Sequence, residues 1–338
     1  MTASVLVMGA GSVGCYLGGL LAATGRVVHF VGRPRVLSAL AEHGLLVSDC
    51  DGHKKQLQVG QFHLHETPPV GLAPDVTLLC VKSGATFEAA QALQHALLPG
   101  SLLLSMQNGI SNAERAQAAA PSLDVRAGMV PFNVAELAPG HYHRGTGGKL
   151  IVQGNPSDTA IVDLAQAFAK QSVGLQWQQD LRAVQWGKLL INLNNPVNAL
   201  SGRPLRAELL ERGYRRCFAA LQSEALDVLE AAGFKVAQFT ALPPRRLIQA
   251  LRLPTPLFRM LARRMLKIDN KARSSMADDL HLGRTTEIDA LCGEVVRLAH
   301  RQGRQAPLNA RMLTLVQAWP HAPQPYGPRE LEEALGLA

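Results

Sequence analysis

The chain is short of the residues that would tie it to several large classes of protein. Its five cysteines (Cys15, Cys50, Cys80, Cys217 and Cys292) are odd in number, widely spread and contain no C-x-x-C pair. That argues against a disulfide framework and against a zinc site, and leaves free thiols in a reducing cytoplasm as the expectation. Apolar runs such as Gly18 to Ala23 fall far short of the ~20 residues that a membrane helix needs. No basic segment and cleavable apolar stretch precedes the first apolar strand, so no secretory signal is expected. Aromatic residues make up 5% and charged residues 18% of the chain. What remains is abundant: 47% apolar residues over 338 positions is a globular composition, long enough for two domains with their own cores.

The net charge of +8 is unevenly placed. Residues 1–180 hold 11 basic and 12 acidic side chains, and residues 181–338 hold 23 and 14. Nine basic residues against Asp269 between Arg245 and Arg273 account for the excess, with Phe258 as the lone aromatic among them. Charge confined to one segment, without interleaved aromatics, does not describe a nucleic-acid surface.

The first half alternates strands and helices. Ser4–Met8, Val27–Val31, Val76–Val81, Leu102–Met106 and Val125–Val130 read as strands, separated by helices over Val13–Thr24, Pro34 to Gly44, Ala85–Leu97 and Asn112–Ala119. Leu45 to Gly60, with Asp51-Gly52 at its centre, reads as an inserted hairpin. Gly140–Gly154 reads as a closing antiparallel hairpin. Alternation of this kind predicts a mostly parallel sheet covered by helices on both faces. From Leu181 onward the pattern is helical, with amphipathic stretches over Arg182–Leu200, Leu205–Ala232, Met276–Gln302 and Asn309–Ala318. The reading is therefore an α/β Rossmann-like dinucleotide-binding domain over residues 1–178 and an all-α domain over 179–338.

Gly9, Ala10, Gly11, Ser12, Val13 and Gly14 form a G-x-G-x-x-G that leaves the first strand and opens the first helix. Its glycines suit a tight turn, close approach of backbone to a pyrophosphate, and helix–strand packing. Where an NAD-preferring chain would carry an acid at the end of the second strand, this one has Gly32-Arg33-Pro34-Arg35. A guanidinium grips a 2′-phosphate that an acid would repel, which points to NADP(H). Lys82 and Asn108 follow the third and fourth of these apolar strands, at the carboxyl edge where ligands of open α/β sheets lie.

In the second half, Lys188, Asn192 and Asn195 stand at i, i+4 and i+7. At about 100° per residue they span roughly 60° of a helix. A cation and two amides on an otherwise apolar helix call for a polar partner. A lysine there can polarise a carbonyl and supply its proton after hydride transfer, while amides orient hydroxyl and carboxylate groups. Ser275, with Asp278 three residues on, reads as the N-cap of a helix and a candidate carboxylate site. Glu287 lies about 120° around from Ser275 on a straight helix, and could instead face Lys188.

Together these blocks resemble the ketopantoate reductase (2-dehydropantoate 2-reductase) family over nearly the whole chain. The resemblance runs through Gly-Ala-Gly-Ser-Val-Gly, Val-Lys82-Ser, Gln-Asn108-Gly, Trp186-Gly-Lys188-Leu-Leu-Ile-Asn192, and Ser274-Ser275-Met with Asp279 and Thr286-Glu287-Ile-Asp. It implies Lys188 as proton donor with Glu287 as its partner near the substrate. It implies Asn192 and Ser275 as substrate ligands, Asn108 between nicotinamide and substrate, and Arg33 and Lys82 at the 2′-phosphate and adenosine end. Such enzymes reduce 2-dehydropantoate to (R)-pantoate with NADPH in pantothenate synthesis. Two departures stand out. Asn195 follows the lysine by seven residues where the family pattern has eight, and the proline-broken basic stretch Pro243–Arg273 is longer than in compact members. That stretch could be a lid, the contact of a homodimer, or solvated surface. The expectation is a cytoplasmic NADPH-dependent reductase of a small 2-oxo acid with no nucleic-acid or membrane partner. A reductase of another bulky 2-oxo acid and a non-catalytic NADPH sensor stay open beside it.

Overall fold

Strand β1 (Ser4–Met8) sets the pattern of the first half. Val5 and Val7 enter one apolar core and Leu6 enters another, so the strand is buried on both faces, as a helix-covered parallel sheet requires. The computed structural model describes residues 3–263, 266, 272–321 and 323–337. The chain divides into two units, Met1–Leu181 and Arg182–Ala338.

In the first unit β1 is followed by α1 (Ser12–Ala22), β2 (Val27–Val31), α2 (Pro34–His43), β3 (Leu45–Asp49), β4 (Lys54–Leu57), β5 (His63–His65), β6 (Val76–Leu79), α3 (Thr86–Ala96), β7 (Leu102–Ser105), α4 (Asn112–Ala119), β8 (Asp124–Met129), β9 (Val134–Ala138), β10 (His141–Arg144), β11 (Leu150–Gln153), α5 (Thr159–Ala169) and β12 (Leu175–Gln178). Eight strands form one sheet in the order β12-β11-β8-β7-β6-β1-β2-β5, parallel except where β11 meets β8. Helices α1 and α5 supply Leu17, Leu21, Leu164 and Phe168 to the core on one face. Helices α3 and α4 supply Ala90, Leu93 and Ala116 to the other. This is the expected α/β dinucleotide-binding architecture.

In this unit one expectation needs correcting. Residues 140–154 are not a single hairpin. Strands β9 and β10 form a hairpin that joins β3 and β4 in a separate four-stranded sheet, whereas β11 returns to the main sheet beside β8. The cause is where the side chains find burial. Tyr142 and Arg144 of β10 are buried, and Arg144 donates to Asp49 at the end of β3 (2.9 Å). Leu150 and Val152 of β11 are buried in the main core.

The second unit contains α6 (Arg182–Asn192), α7 (Asn194–Ser201), α8 (Leu205–Leu210), α9 (Arg212–Ala231), α10 (Pro244–Arg252), α11 (Thr255–Leu261), α12 (Ser275–His281), a π-type turn over Asp289–Gly293, α13 (Glu294–Arg301), α14 (Pro307–Ala318) and α15 (Pro328–Leu335). It is helical as expected, but three of the expected long helices are broken. Arg182–Leu200 divides at Leu193, where Pro196 offers no N–H to the carbonyl four residues back. Leu205–Ala232 divides at Glu211, whose backbone is extended. Met276–Gln302 divides at Gly283, which ends α12 in the left-handed region (φ 61°). The fully buried Arg215 donates to the carbonyls of Leu209, Leu251 and Leu253, tying α8, α10 and the residue after α10 to α9. Residues 264–265 and 267–271 of the basic stretch lie outside the described residues. The part that is described buries Leu247, Ile248, Leu251 and Phe258.

Candidate active site

In the first unit the chain leaves β1 at Gly9 with φ 110°, which favours glycine. A Cβ there would lie 2.6 Å from the Val81 amide nitrogen, just past β6. The Gly9 and Ala10 amides donate to the Val31 carbonyl at 3.0 and 2.9 Å, fastening the loop to the end of β2. Over Gly11 the space is open, with nothing within 4 Å of a Cβ. Gly11 is the N-cap of α1 and no side chain caps that helix, whose first turn begins with Ser12 and Val13. At Gly14 a Cβ would strike the Gly9 carbonyl and press on Val7 Cγ1 at 3.0 Å. Tight turn, open approach and close packing thus fall on the three glycines in that order. The uncapped amides beneath an open surface fit a pyrophosphate.

Arg33 is exposed at the N-cap of α2, directly after β2. Its neighbour Arg35 pairs with Glu136 at 3.4 Å, and among the described residues no acid pairs with Arg33. Lys82 is exposed ahead of the short 3₁₀ turn Ser83–Ala85 that follows β6. Asn108 is half-buried after β7, beside Gly109 at φ 98°. Gly9, Arg33, Lys82 and Asn108 therefore all follow carboxyl ends of neighbouring parallel strands.

Sequence reading missed what holds the last two loops. Ser83 Oγ donates to the Asn108 carbonyl at 3.1 Å. Asn112 Nδ2 donates to the same carbonyl at 2.5 Å and to Ser83 Oγ at 3.0 Å. Gln107 Nε2 donates to the Val81 carbonyl at 2.9 Å and to Thr86 Oγ1 at 2.8 Å. All four side chains are buried polar groups. Such a network fixes both loops because each member left unpaired would carry a desolvation penalty. Its only signal in the sequence was four hydrogen-bonding residues next to strand ends.

In the second unit, α6 carries Lys188 and Asn192, both half-buried and one helical turn apart. Several contacts fix this helix. A Cβ at Gly187 would strike the Ala237 carbonyl, so the 237–239 segment can lie close beside it. The Ala237 amide donates to the Ala183 carbonyl at 2.9 Å, and Gln222 Nε2 of α9 donates to the Leu190 carbonyl at 2.9 Å. Burial lowers the Lys188 ammonium from 10.5 to about 8, against the upward pull of the nearby Glu287 carboxylate. A lysine in that range can give up a proton near neutral pH. Half-buried Glu287 stands two residues before the π-type turn, a kind of helix defect frequent at functional sites.

The break at Leu193 means that Asn195 does not continue the Lys188–Asn192 stripe on one regular helix, so the angular argument fails there. Asn195 is half-exposed at the start of α7. The break at Gly283 likewise removes the straight-helix count for Glu287. A third correction concerns the cap. Ser274, not Ser275, is the N-cap of α12: its backbone is extended and its Oγ accepts from the Ala277 amide at 3.1 Å. Ser275 is exposed at the first helical position, its hydroxyl outside the cap. Two links place it. The Ser274 amide donates to Asn198 Oδ1 at 2.9 Å, and Ser274 Oγ donates to the Asn195 carbonyl at 3.2 Å. So α7 and the start of α12 are joined, bringing Asn195 and Ser275 close in the fold. Beneath them, buried Asn194 donates to Glu208 Oε2 at 3.0 Å. Burial raises the Glu208 carboxyl from 4.5 to about 8, opposed by its amide neighbours and Arg215.

The family model for ketopantoate reductase matches residues 5–156, and the model for its C-terminal domain matches residues 180–319. The chain belongs to the ketopantoate reductase family. A 2-dehydropantoate 2-reductase of Pyrococcus horikoshii is 26% identical over 324 residues, covering 93% of this chain and 96% of its own. A ketopantoate reductase family structure from Ralstonia eutropha JMP134 superposes with a TM-score of 0.77 at 29% identity, covering 93% of this chain and 97% of its own. A D-mandelate dehydrogenase with NADH and anilino(oxo)acetate shares the fold at 18% identity and a TM-score of 0.76, over 93% of this chain and 97% of its own. The protein is accordingly an oxidoreductase of this family, with a nicotinamide dinucleotide as cofactor and a small molecule as substrate. Among the described residues no helix is long and apolar enough to cross a membrane.

Proposed function

We propose that this ketopantoate reductase family member reduces 2-dehydropantoate to (R)-pantoate with NADPH, as a step of pantothenate synthesis. The observation that carries the catalytic half of this reading is Lys188, half-buried, with its pKa brought to about 8 beside Glu287. When bound, NADPH would supply a hydride to the 2-oxo carbon. As the carbonyl oxygen gains charge, Lys188 Nζ polarises it and passes it a proton, leaving a 2-hydroxy acid and a neutral amine that regains its proton from water. Glu287 keeps the amine protonated beforehand. Asn192 and Asn195 orient the substrate's oxygens without adding charge, Ser275 donates to its carboxylate, and Asn108 borders the nicotinamide.

For the cofactor, Gly9, Ala10, Gly11, Ser12, Val13 and Gly14 would hold the pyrophosphate. Arg33, without an acidic partner among the described residues, and Lys82 would take the 2′-phosphate and adenosine end. The absence of an acid at the end of β2 favours NADPH over NADH.

A panel of 2-oxo acids, including 2-dehydropantoate and an arylglyoxylate, offered with NADPH and followed by loss of its absorbance, tests the reading. 2-Dehydropantoate should have the highest kcat/KM. A higher value for the arylglyoxylate would reassign the substrate, and no turnover with any of them would refute catalysis.

A further inference from the structure

The edge of the eight-stranded sheet carries a feature that the reductase chemistry does not use. Strands β2 and β5 are parallel neighbours, with His29 opposite His63 and Val31 opposite His65. Alternation along each strand puts His29, His63 and His65 on one face. The His29 ring is stacked against His63 at 4.6 Å and against His65 at 5.2 Å between centroids. His29 Nδ1 lies 3.0 Å from His65 Nε2. His29 and His65 are half-buried and His63 is exposed.

That nitrogen separation is informative. Two imidazole nitrogens each about 2.0–2.1 Å from one ion lie roughly 2.9 Å apart at a right angle and about 3.4 Å apart at a tetrahedral angle. Sheet pairing therefore holds the two nitrogens at a separation that matches coordination, and an ion would replace the N–H···N hydrogen bond that joins them. The third imidazole is anchored on the same face by its register with His29, and its exposure leaves it room to turn toward the pair. Neutral imidazole suits zinc, copper and nickel rather than magnesium or calcium.

We propose that His29, His63 and His65 form a binding site for a divalent transition-metal ion of the zinc, nickel or copper type, with water completing its coordination. The site is separate from the proposed catalytic chemistry and does not depend on the identity of the 2-oxo acid. Its position gives it a structural consequence. The His65 carbonyl accepts from the Gly32 amide at 3.0 Å, immediately before Arg33, and the Val31 carbonyl holds the Gly9 and Ala10 amides. An ion on His65 would brace the strand ends that carry the dinucleotide loop. Among the described residues, the three potential ligands whose donor atoms already lie within 4.8 Å of one another are Asp49, Asp51 and His53, and they are a weaker choice. Arg144 donates to both of its carboxylates at 2.9 and 2.7 Å and already supplies the positive charge.

The test is titration of the chelator-stripped full chain with Ni2+ and Zn2+ by calorimetry, and with Cu2+ by electron paramagnetic resonance. One saturable ion per chain is expected, with nitrogen hyperfine structure in the copper spectrum. His29→Ala and His65→Ala should each cost more than about tenfold in affinity, since losing even an outer-shell partner costs 10–100-fold. His65→Gln, which keeps a hydrogen-bonding partner for His29, should lose affinity equally while staying folded, as checked by circular dichroism and dinucleotide binding. His95→Ala, on exposed α3 surface, should change nothing. Absence of saturable binding would identify the His29–His65 contact as a plain N–H···N hydrogen bond and overturn the proposal. So would binding that survives His65→Gln or disappears in His53→Ala.

Discussion

Replacing Glu287 with glutamine should shift the alkaline limb of the kcat–pH profile toward acid, because this carboxylate raises the pKa of Lys188. Lysine ordinarily titrates at 10.5; burial brings Lys188 to about 8 despite Glu287. An opposite charge within ~4–6 Å is worth about 1–3 pKa units, so losing it should leave the amine at roughly 5–7. At a pH of about 7.5 the protonated fraction would then fall from about three-quarters to between about one-quarter and less than one-hundredth. Since only the protonated amine can serve the carbonyl oxygen, kcat should drop by roughly threefold to a few hundredfold at that pH and recover as the pH is lowered. The assay is steady-state turnover across pH with a nicotinamide deuterated at the transferred position, so that an isotope effect certifies the hydride step. Lys188→Ala is the companion measurement: turnover should fall by ~10²–10⁴-fold, the limb should vanish, and the dinucleotide should still bind. A limb that stays in place in Glu287→Gln, or moves to higher pH, would refute the reasoning even if activity fell.

Arg33→Ala should weaken NADPH binding by about tenfold or more, the worth of a charged hydrogen bond, and leave NADH nearly unaffected; equal losses in a fluorescence titration would contradict the 2′-phosphate assignment. Gly11→Ala and Gly14→Ala should separate binding from folding. Gly11 faces open space and its variant should keep its Tm while losing dinucleotide affinity, whereas Gly14→Ala meets the Gly9 carbonyl and Val7 and should cost about 1–3 kcal/mol of stability. Glu208 is an acid whose folded pKa of about 8 lies above its unfolded 4.5, so its contribution to stability is complete below pH 4.5 and is lost as pH rises to about 8. Glu208→Gln, neutral at every pH, should flatten that part of the Tm–pH curve, and a curve of unchanged slope would show that Glu208 is ionised in the fold.

What could be read from the sequence, and what could not, divides along the range of the forces involved. The glycine loop and the strands β1, β2, β6, β7 and β8 were legible because short apolar runs buried on both faces, punctuated by Gly and Pro, leave few alternatives. Lys188 and Asn192 were legible for a similar reason: two polar residues one turn apart on an apolar helix are conspicuous whatever surrounds them. Asn195 was placed by extending a helical angle across the break at Leu193, the angular count from Ser275 to Glu287 crossed the break at Gly283, and the cap was given to Ser275 when Ser274 holds it. The two helical counts failed for one reason. Each break is made by a local backbone property, a missing N–H at Pro196 or a positive φ at Gly283, that a hydrophobic period does not register. The choice of Ser274 was decided by Asn198, 76 residues away, accepting its amide. The polar supports under the candidate site have the same character. Asn112 and Ser83 hold the Asn108 carbonyl from 4 and 25 residues away, and Asn194 meets Glu208 across 14. Hydrogen bonds of that span leave no periodic trace, yet they fix the backbone from which residues of the proposed site project. Removing such a support should disturb the site more than the fold. Asn112 therefore serves Asn108 and Lys82 by locking two strand-end loops together, a role its place in the first turn of α4 would never have suggested.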